Sequence, residues 1–394
     1  MTTVIIGLDV GKTNHFAMAI SADGQRLFAE AVPQEEAALR TMLHKAATYG
    51  PPILVLDQSA SMGLLPRAVA HDLAIPVHYL PGSTFRHVAN SFPGGTKTDR
   101  RDAEIIALAG RTMPHAIRPL TAPAPDIADV RALDGYLEDL TDDITRDKNR
   151  LRGTLLQLHA PLEQVLGPRL GQRGVLPLLQ RYPTPEALRQ ASDATLEALL
   201  RTQGSRRAPR LVAEIREALP RQTLNPTGTT RLGEAIAHRA GQCAANLAEK
   251  RRVISELETA LAQNTTAQLV LTMPGYGTRT AATVLVETAG KTFASAAHLA
   301  SYAGVAPTVR QSGATRQVRR SRTANKRLKD ALCWSAFNTI RSGPGKELYQ
   351  AKRHKGHWKA IIAIARRQVS ILYAMLRDGT PYVPKLTQAP LTPS

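Results

Sequence analysis

Short apolar runs that end in aspartate are the strongest constraint on the first 120 residues. Residues 4–10 are rich in β-branched side chains and contain Asp9 at the end of the run, and residues 53–56 form a second run that ends at Asp57. Residues 15–20 and 25–32 lie between them, joined by an Asp-Gly turn that is typical of a β-hairpin. The spacing therefore predicts three antiparallel strands and a fourth strand further on.

Helical patterns alternate with these strands. Residues 34–49, 64–73 and 98–111 have helical periodicity, and residues 77–80 form a fifth apolar run. Phe92-Pro-Gly-Gly predicts a loop before the last of these helices. Three antiparallel strands followed by helix, strand, helix, strand and helix predict an α/β domain with a mixed sheet. This order matches the ribonuclease-H-like fold.

The charge balance points to a polyanionic partner. The chain has 394 residues, with 51 Lys or Arg against 32 Asp or Glu, a formal net charge of +19. An excess of this size favours nucleic acid first and an anionic membrane surface second. Two cysteines exclude a disulfide framework and Cys-rich zinc motifs, and they favour a reducing, cytoplasmic compartment. We expect no signal peptide, because the N-terminus has no basic n-region and no cleavage site, and no membrane span, because no apolar run reaches about 20 residues.

Residues 126–265 predict an elongated helical segment. A Pro-rich linker at 119–125 precedes it, and apolar residues then recur every three or four positions from Ile127 to Leu158. A second long pattern covers residues 229–263, with Ile254 assigned to its apolar stripe. Residues 161–228 are interrupted repeatedly by Pro and Gly and predict a helical insert. Two such helices indicate an antiparallel coiled-coil arm, and a plain helical bundle is the alternative.

The C-terminal region, residues 269–385, is strongly basic. Residues 301–360 contain fourteen Lys or Arg and only two acids. A one-signed excess of this kind favours an anionic partner. Gly275 and Gly277 form a turn whose backbone N–H groups could face a phosphate at a helix start, or an ordinary helix–helix turn. The side chains predicted to contact nucleic acid are Arg310, Arg316, Arg319, Arg320, Lys326, Arg327 and Lys329.

Four aspartates are the predicted metal ligands. Asp9 and Asp57 end strands that are neighbours in this fold, and Asp99 and Asp102 are three apart on one helix and share a face. Hard carboxylate ligands suit Mg²⁺ or Mn²⁺, and two such ions can clamp the attacking and leaving oxygens of a phosphodiester exchange. Taken singly, each aspartate could equally be a turn residue or a helix cap.

Ser312 is the predicted nucleophile. It precedes Gly313 in an arginine-rich stretch. A hydroxyl held near guanidinium groups and a metal-bound phosphate could attack phosphorus and form a phosphoseryl link. Ser321 is a rival for the same role, and a loop serine that caps a turn is the structural alternative.

These motifs together resemble the insertion-sequence "one-ten" transposases, a family that includes the Piv-type DNA invertases. The similar N-terminal stretches are GLDVGK with Asp9, KTDRRDA with Asp99 and Asp102, and LVLDQSA with Asp57, where the family usually has Glu. The similar C-terminal stretches are PGYG at 274–277, SYAGVAP at 301–307, Ser312-Gly313, NKRLK at 325–329 and the closing helix at 359–382.

The resemblance implies an architecture and an activity. It implies a RuvC-like catalytic domain at 1–118 and a mainly helical transposase domain at 269–385, on either side of the coiled-coil arm that the periodicity predicts at 126–265 with its insert at 161–228. It also implies a bacterial or archaeal, nucleoid-associated DNA recombinase that uses magnesium or manganese and a serine nucleophile. The implied partners are double-stranded target and donor DNA, further copies of the chain in a dimer or tetramer, and an RNA guide encoded by the element.

Three alternatives use the same residues differently. A metal-dependent Holliday-junction resolvase or nuclease would use water as the nucleophile. A kinase or ATPase of the same fold would use the D-x-G-x-T stretch at 9–13 for a nucleotide, but we find no second Gly-rich phosphate loop in the sequence. A non-enzymatic nucleic-acid-binding protein would use the aspartates only as caps.

Overall fold

A computed structural model describes residues 2–58, 61–92, 98–121, 125–224, 226–312, 315–319, 324–341 and 343–384. These residues fall into two compact units. The N-terminal unit comprises the described residues up to 121 together with 288–292, and the helical unit comprises the other described residues from 125 onward. Within the described ranges, no helix is both long and apolar enough to cross a membrane.

The N-terminal unit is built on a six-stranded mixed sheet. Its strands are β1 (Val4–Asp9), β2 (Asn14–Ser21), β3 (Arg26–Pro33), β4 (Pro52–Leu56), β5 (Val77–Tyr79) and β6 (Arg118–Pro119). The spatial order is β3-β2-β1-β4-β5-β6, in which β1, β4 and β5 are parallel and the other neighbours are antiparallel. This arrangement confirms the predicted ribonuclease-H-like fold.

Helices cover both faces of this sheet. They are α1 (Glu36–Ala47), α2 (Leu64–Asp72), α3 (Gly82–Ala89) and α4 (Asp99–Thr112). Side chains of α1 and α2 pack on one face with Ile6 and Leu8, whereas α3 and α4 pack on the other with Ile5 and Val55. The sequence interpretation missed α3 and also β6, which occupies the start of the predicted linker. Most of the predicted Phe92-Pro-Gly-Gly loop, residues 93–95, lies outside the described residues.

A glycine in β1 lets α4 approach the sheet at backbone distance. A Cβ at Gly7 would stand 2.2 Å from the Ala103 carbonyl oxygen and 2.3 Å from the Ala107 nitrogen. Contacts this short with backbone cannot be relieved by a side-chain rotation. Gly7 therefore determines how closely α4 lies against β1.

We expect Gly7→Ala to destabilise the N-terminal unit by about 2–3 kcal/mol, because the added methyl group must push α4 away from β1. Urea unfolding monitored by circular dichroism measures the loss. Gly82→Ala in α3 is the matched control, since its Cβ would meet nothing within 4 Å. Equal stability of the two variants would contradict the close-approach argument.

The helical unit contains two long helices, a cluster of short ones and a small hairpin. The long helices are α5 (Pro125–Leu158) and α11 (Thr229–Ala262), and between them lie α6 (Ala160–Leu166), α7 (Val175–Arg181), α8 (Pro185–Gln190), α9 (Asp193–Thr202) and α10 (Ala208–Ala218). The C-terminal elements are α12 (Thr265–Leu271), α13 (Thr278–Thr288), α14 (Ala296–Tyr302), β7 (Thr308–Ser312), β8 (Thr315–Arg319), α15 (Lys326–Asn338), α16 (Pro344–Lys352) and α17 (His357–Asp378).

The two long helices run antiparallel. Asn264, just beyond α11, donates to Asp126 near the start of α5, and Lys250 donates to Thr141 further along. The buried stripe of α11 includes Val253 and not Ile254, which is half-buried. Ile254 still packs against the edge of this core, and Val253, which the predicted stripe did not include, is buried together with Leu257 and Leu261.

Two hydrophobic cores divide the helical unit. One core joins the C-terminal half of α5 and the N-terminal half of α11 to the insert helices. The insert at 161–228 is helical, as the sequence predicts. The other core joins the N-terminal half of α5 and the C-terminal part of α11 to α12–α15 and α17. The boundary predicted between 126–265 and 269–385 therefore runs through a shared core. The β7–β8 hairpin was not predicted.

Candidate functional site

Two of the four predicted metal ligands follow neighbouring parallel strands. Leu8 of β1 pairs with Leu56 of β4, so Asp9 and Asp57 come next in the same register. The backbone N–H of Val10 donates to Asp57 Oδ1 at 3.3 Å. The sheet therefore brings these two aspartates to one edge, as the sequence predicted.

Helix α4 carries the other two aspartates toward the same edge. Gly110 packs against Ile5 and Val55, whereas Ala103 lies against Gly7, so the chain of α4 runs opposite to that of β1. The first turn of α4 consequently lies toward the end of β1 that bears Asp9. In that turn Asp102 is only 8% exposed, whereas Asp99 is exposed.

The negative charge of Asp102 acts on the Asp57 carboxyl. Burial raises the pKa of the Asp57 carboxyl, the Val10 N–H opposes that rise, and the negative charge of Asp102 adds to it. A cation bound between these two carboxylates would offset both their mutual repulsion and the cost of burying their charges. Among the described residues, however, no three His, Cys, Asp or Glu side chains stand close enough to hold a metal ion as positioned. The backbone brings the acids to one edge of the sheet, but the described side chains do not form a complete set of metal ligands.

We expect Asp57→Asn to raise stability in the presence of a chelator by up to about 1 kcal/mol at neutral pH, because it removes a charge that burial disfavours. The native state holds the Asp57 proton more tightly than the unfolded chain does. Wild-type stability should therefore fall as pH rises from the ordinary carboxyl pKa through the raised one, and the variant should lack that fall. Thermal unfolding between pH 4 and 8 is the measurement, with exposed Asp72→Asn as control. A destabilised Asp57→Asn protein would contradict this account.

A buried histidine and a glutamine tie together the two loops that follow these strands. The Gly11 N–H donates to His15 Nδ1 at 3.2 Å, so Nε2 carries the proton and donates to Gln34 Oε1. The Gln34 amide then donates to the Met62 carbonyl at 2.8 Å. Burial lowers the pKa of His15, which favours the neutral ring that this chain needs. The sequence interpretation missed both side chains, since their pairing depends on the tertiary fold.

We expect Gln34→Leu to weaken Mn²⁺ binding about tenfold, because the loops that follow Asp9 and Asp57 lose their common anchor. Isothermal titration calorimetry with Mn²⁺ on the folded variant is the measurement. Gln25→Leu, at an exposed turn position, is the control. An unchanged Mn²⁺ affinity in Gln34→Leu would assign the chain of hydrogen bonds to stability alone.

Ser312 is the last residue of β7, where its backbone pairs with Thr315 across the hairpin. It belongs to the helical unit, and the four aspartates belong to the N-terminal unit. Arg310, Arg316 and Arg319 lie in the same two strands. The rival Ser321, together with Gly313 and Arg320, lies outside the described residues.

Arg327, one of the predicted phosphate contacts, forms ion pairs within the helical unit. Its guanidinium lies 2.7 Å from Asp134, 2.7 Å from Glu138 and 3.1 Å from Glu287. Asp134 is 2% exposed, and a carboxylate buried so deeply needs a cation beside it. Arg327 therefore links α15 to α5 and α13, and its charge is neutralised within the unit. The sequence could not show this, because α5 and α13, which carry the three acids, are far from Arg327 along the chain.

Gly275 is also explained by packing. Its φ is +84°, and a Cβ there would stand 2.5 Å from the Ser335 carbonyl oxygen in α15. The helix–helix alternative for this turn therefore accounts for Gly275, while Gly277 is exposed directly before α13 begins. Lys326 is exposed and Lys329 is half-buried in the first turn of α15.

Comparison with known proteins agrees with the fold. A DEDD-type transposase family model of the IS110 kind matches residues 6–160, and the model described as "Transposase IS116/IS110/IS902 family" matches residues 267–350. The 43.6 kDa protein of insertion element IS110 from Streptomyces coelicolor is 40% identical over 96% of this chain and 95% of its own length. The 42 kDa protein of insertion element IS900 from Mycobacterium paratuberculosis is 34% identical over 97% and 98%.

Two further matches are partial. The pilin gene-inverting protein of Moraxella bovis is 36% identical over 30% of this chain and 39% of its own length. A structure of T. thermophilus RuvC with a Holliday junction substrate aligns to 30% of this chain and 99% of that one, at 16% identity and a TM-score of 0.22. That score is low, so the fold assignment rests on the strand order described above.

The ribonuclease-H-like sheet and the family matches define a class, the transposases and related DNA recombinases. The chain belongs to the IS116/IS110/IS902 transposase family, with matches at both ends and relatives that cover nearly its whole length. It is therefore a DNA-acting enzyme, and its DEDD-type domain points to dependence on a divalent metal ion.

Proposed function

We propose that this transposase cuts and rejoins DNA at specific sites, with Asp9, Asp57, Asp99 and Asp102 as metal ligands and Ser312 as the nucleophile. The observation that carries the proposal is the register of β1 and β4, which brings Asp9 and Asp57 to one edge beside the buried Asp102. Carboxylates placed in this way are suited to Mg²⁺ or Mn²⁺.

The four aspartates have distinct positions in this scheme. Asp57 and Asp102 are the inner pair, whose like charges favour uptake of a cation. Asp9 and Asp99 complete the ligand set by side-chain rotation, because β1 and α4 already place their backbones at the same edge. When bound, one or two metal ions would polarise the scissile phosphate and stabilise the charge on its oxygens.

The covalent step requires the Ser312 hydroxyl at that phosphate. Its Oγ attacks phosphorus, the bond from phosphorus to the leaving DNA oxygen breaks, and the hydroxyl proton ends on that released oxygen. A terminal hydroxyl of the incoming strand reverses the step and frees the serine. Because Ser312 and the aspartates lie in different compact units, the reaction requires the hydroxyl and the metal-bound phosphate to meet, within one subunit or between two.

Basic residues of the helical unit are the proposed phosphate contacts. Lys326 and Lys329 begin α15, and Gly277 presents its backbone at the start of α13. Arg310, Arg316, Arg319 and Arg320 remain proposed contacts around Ser312. The DNA substrates are a double-stranded donor and target, and binding of this electrostatic kind weakens steeply with salt.

The resemblance to the family also supports two partners that need direct tests. We propose that the enzyme acts as a dimer or tetramer, which the long α5–α11 pair is suited to hold together. We further propose that an RNA transcribed from the noncoding flank of its element guides target choice. Strand exchange with and without that transcript, and sedimentation of the DNA complex, test the two proposals separately.

The central test is a covalent trap. A nicked donor DNA allows attack but lets the released fragment diffuse away, so a phosphoseryl adduct should accumulate with Mg²⁺ and be absent with a chelator. Mass spectrometry of the adduct is expected to map the link to Ser312. A link at Ser321 would move the role there, and metal-dependent cleavage without any adduct would favour a junction resolvase or nuclease that uses water.

A further inference from the structure

The two tryptophans of this chain lie on one surface of the helical unit and are largely exposed to solvent. Trp334 of α15 is 64% exposed and Trp358 of α17 is 62% exposed. The whole sequence contains only these two tryptophans, and its aromatic content is 4%. Large aromatic side chains normally contribute their area to a core, so exposing both of them in one region marks a binding surface.

A chain of aromatic rings connects these tryptophans. Ring centroids are 5.8 Å apart for Trp334 and Phe337, 6.2 Å for Phe337 and His357, and 5.6 Å for His357 and Trp358. Tyr349 adds a ring beside His357 and hydrogen-bonds to its Nδ1 at 2.7 Å. We call these five residues the aromatic patch.

The geometry of the aromatic patch leaves ring faces available. Its pairs meet at interplanar angles of 67–84°, so no two of these rings stack in parallel. A flat indole that is more than 60% exposed must also present much of one face to solvent. Such a face can accept another planar ring by stacking.

The surroundings of the aromatic patch are basic. Residues 341–359 contain six Lys or Arg and one acid, Glu347. Arg353, Lys355 and Lys359 are exposed on and next to the turn that leads into α17. Within the described ranges, none of these three cations takes part in a salt bridge. Their charge is therefore available to a polyanion.

We infer that the aromatic patch binds unpaired bases of single-stranded DNA, with the neighbouring cations holding the strand's phosphates. Flat exposed rings between unpaired cations are the combination that single-stranded nucleic acids require, because every base has a face that can stack and every nucleotide carries a negative charge. A paired duplex hides its base faces, so the aromatic patch should discriminate against it. The inference deepens the proposed function, since strand exchange must separate base pairs before it can join new ones.

Because both tryptophans lie in the aromatic patch, intrinsic fluorescence reports on it directly. The experiment titrates the full-length protein, in a chelator so that no cleavage occurs, with an oligothymidylate of about 20 nucleotides, which is longer than most binding sites of this type. An abasic oligonucleotide of the same length carries the same phosphates without bases. We expect saturable tryptophan quenching by the thymidylate only, and about tenfold or more weaker binding of the abasic strand by fluorescence anisotropy.

Variants separate stacking from charge. Trp334→Ala with Trp358→Ala should reduce thymidylate affinity to the abasic level and leave abasic binding unchanged. Trp334→Phe with Trp358→Phe should restore the preference for bases, which a merely structural role for indole would not predict. Lys355→Ala with Lys359→Ala should weaken both strands alike, and Tyr136→Ala, at an exposed aromatic residue of α5, should change neither.

Several outcomes would overturn the inference. Equal affinity for the thymidylate and abasic strands would remove the role of the rings. Tighter binding of oligouridylate by tenfold or more would assign the surface to RNA, and tryptophan-dependent self-association in sedimentation would assign it to a second copy of the chain. Asp102→Asn and Ser312→Ala proteins should bind the thymidylate like the wild type. Failure of the proposed chemistry would therefore leave this result intact, and the reverse also holds.

Discussion

The Asp102→Asn variant is expected to lose strand exchange by at least about a thousandfold while folding like the wild type. The change keeps the shape of a nearly buried side chain but removes the charge that would hold a metal ion beside Asp57. Metal-ion stabilisation of a phosphoryl transition state is worth several kcal/mol, and each 1.4 kcal/mol corresponds to about a factor of ten in rate. A strand-exchange assay on donor and target DNA measures the loss.

A neighbouring acid of the same helix provides the control. Glu104 lies two residues after Asp102 in α4. Its Oε1 forms a surface ion pair with Arg26 Nη2 at 2.9 Å. Glu104→Gln should leave exchange within about twofold of the wild type, because exposed ion pairs contribute little. If Asp102→Asn recombines DNA as well as Glu104→Gln does, then the acids at this edge are caps and not ligands.

The Ser312→Ala variant is expected to form no covalent DNA adduct and to lose more than about a thousandfold in strand exchange, because a methyl group cannot attack phosphorus. DNA binding should persist, since this variant keeps the phosphate-binding cations. Gel analysis of nicked donor DNA with Mg²⁺ detects the adduct, and anisotropy measures binding.

Thr315→Ala is the matched control for Ser312→Ala. Thr315 is the cross-strand partner of Ser312 in the β7–β8 hairpin. The Thr315→Ala substitution therefore removes a hydroxyl from the same hairpin. It should retain the adduct. If Ser312→Ala keeps the adduct and Ser321→Ala loses it, then Ser321 is the nucleophile.

The strands that position the candidate site could be predicted because their signals are local. The apolar runs before Asp9 and Asp57, and the Asp-Gly turn between β2 and β3, carry their own secondary structure. The elements that were missed lack such signals. Helix α3 is short and polar at its start, β6 contributes two residues that pair only with β5, and the β7–β8 hairpin is so rich in arginine that its sequence predicts a basic loop.

The sequence by itself determined β1 to β5 and the helices α1, α2 and α4 of the N-terminal unit, the two long helices, the helical insert and the family resemblance, because periodicity and short motifs are read within a few residues of chain. Only the tertiary structure decided what distant segments do to each other. It showed that Gly7 admits the backbone of α4, that His15 and Gln34 join two loops, and that Arg327 forms ion pairs with three acids. Close packing, buried hydrogen bonds and charge neutralisation depend on distances in space, and the linear order of residues does not specify those distances.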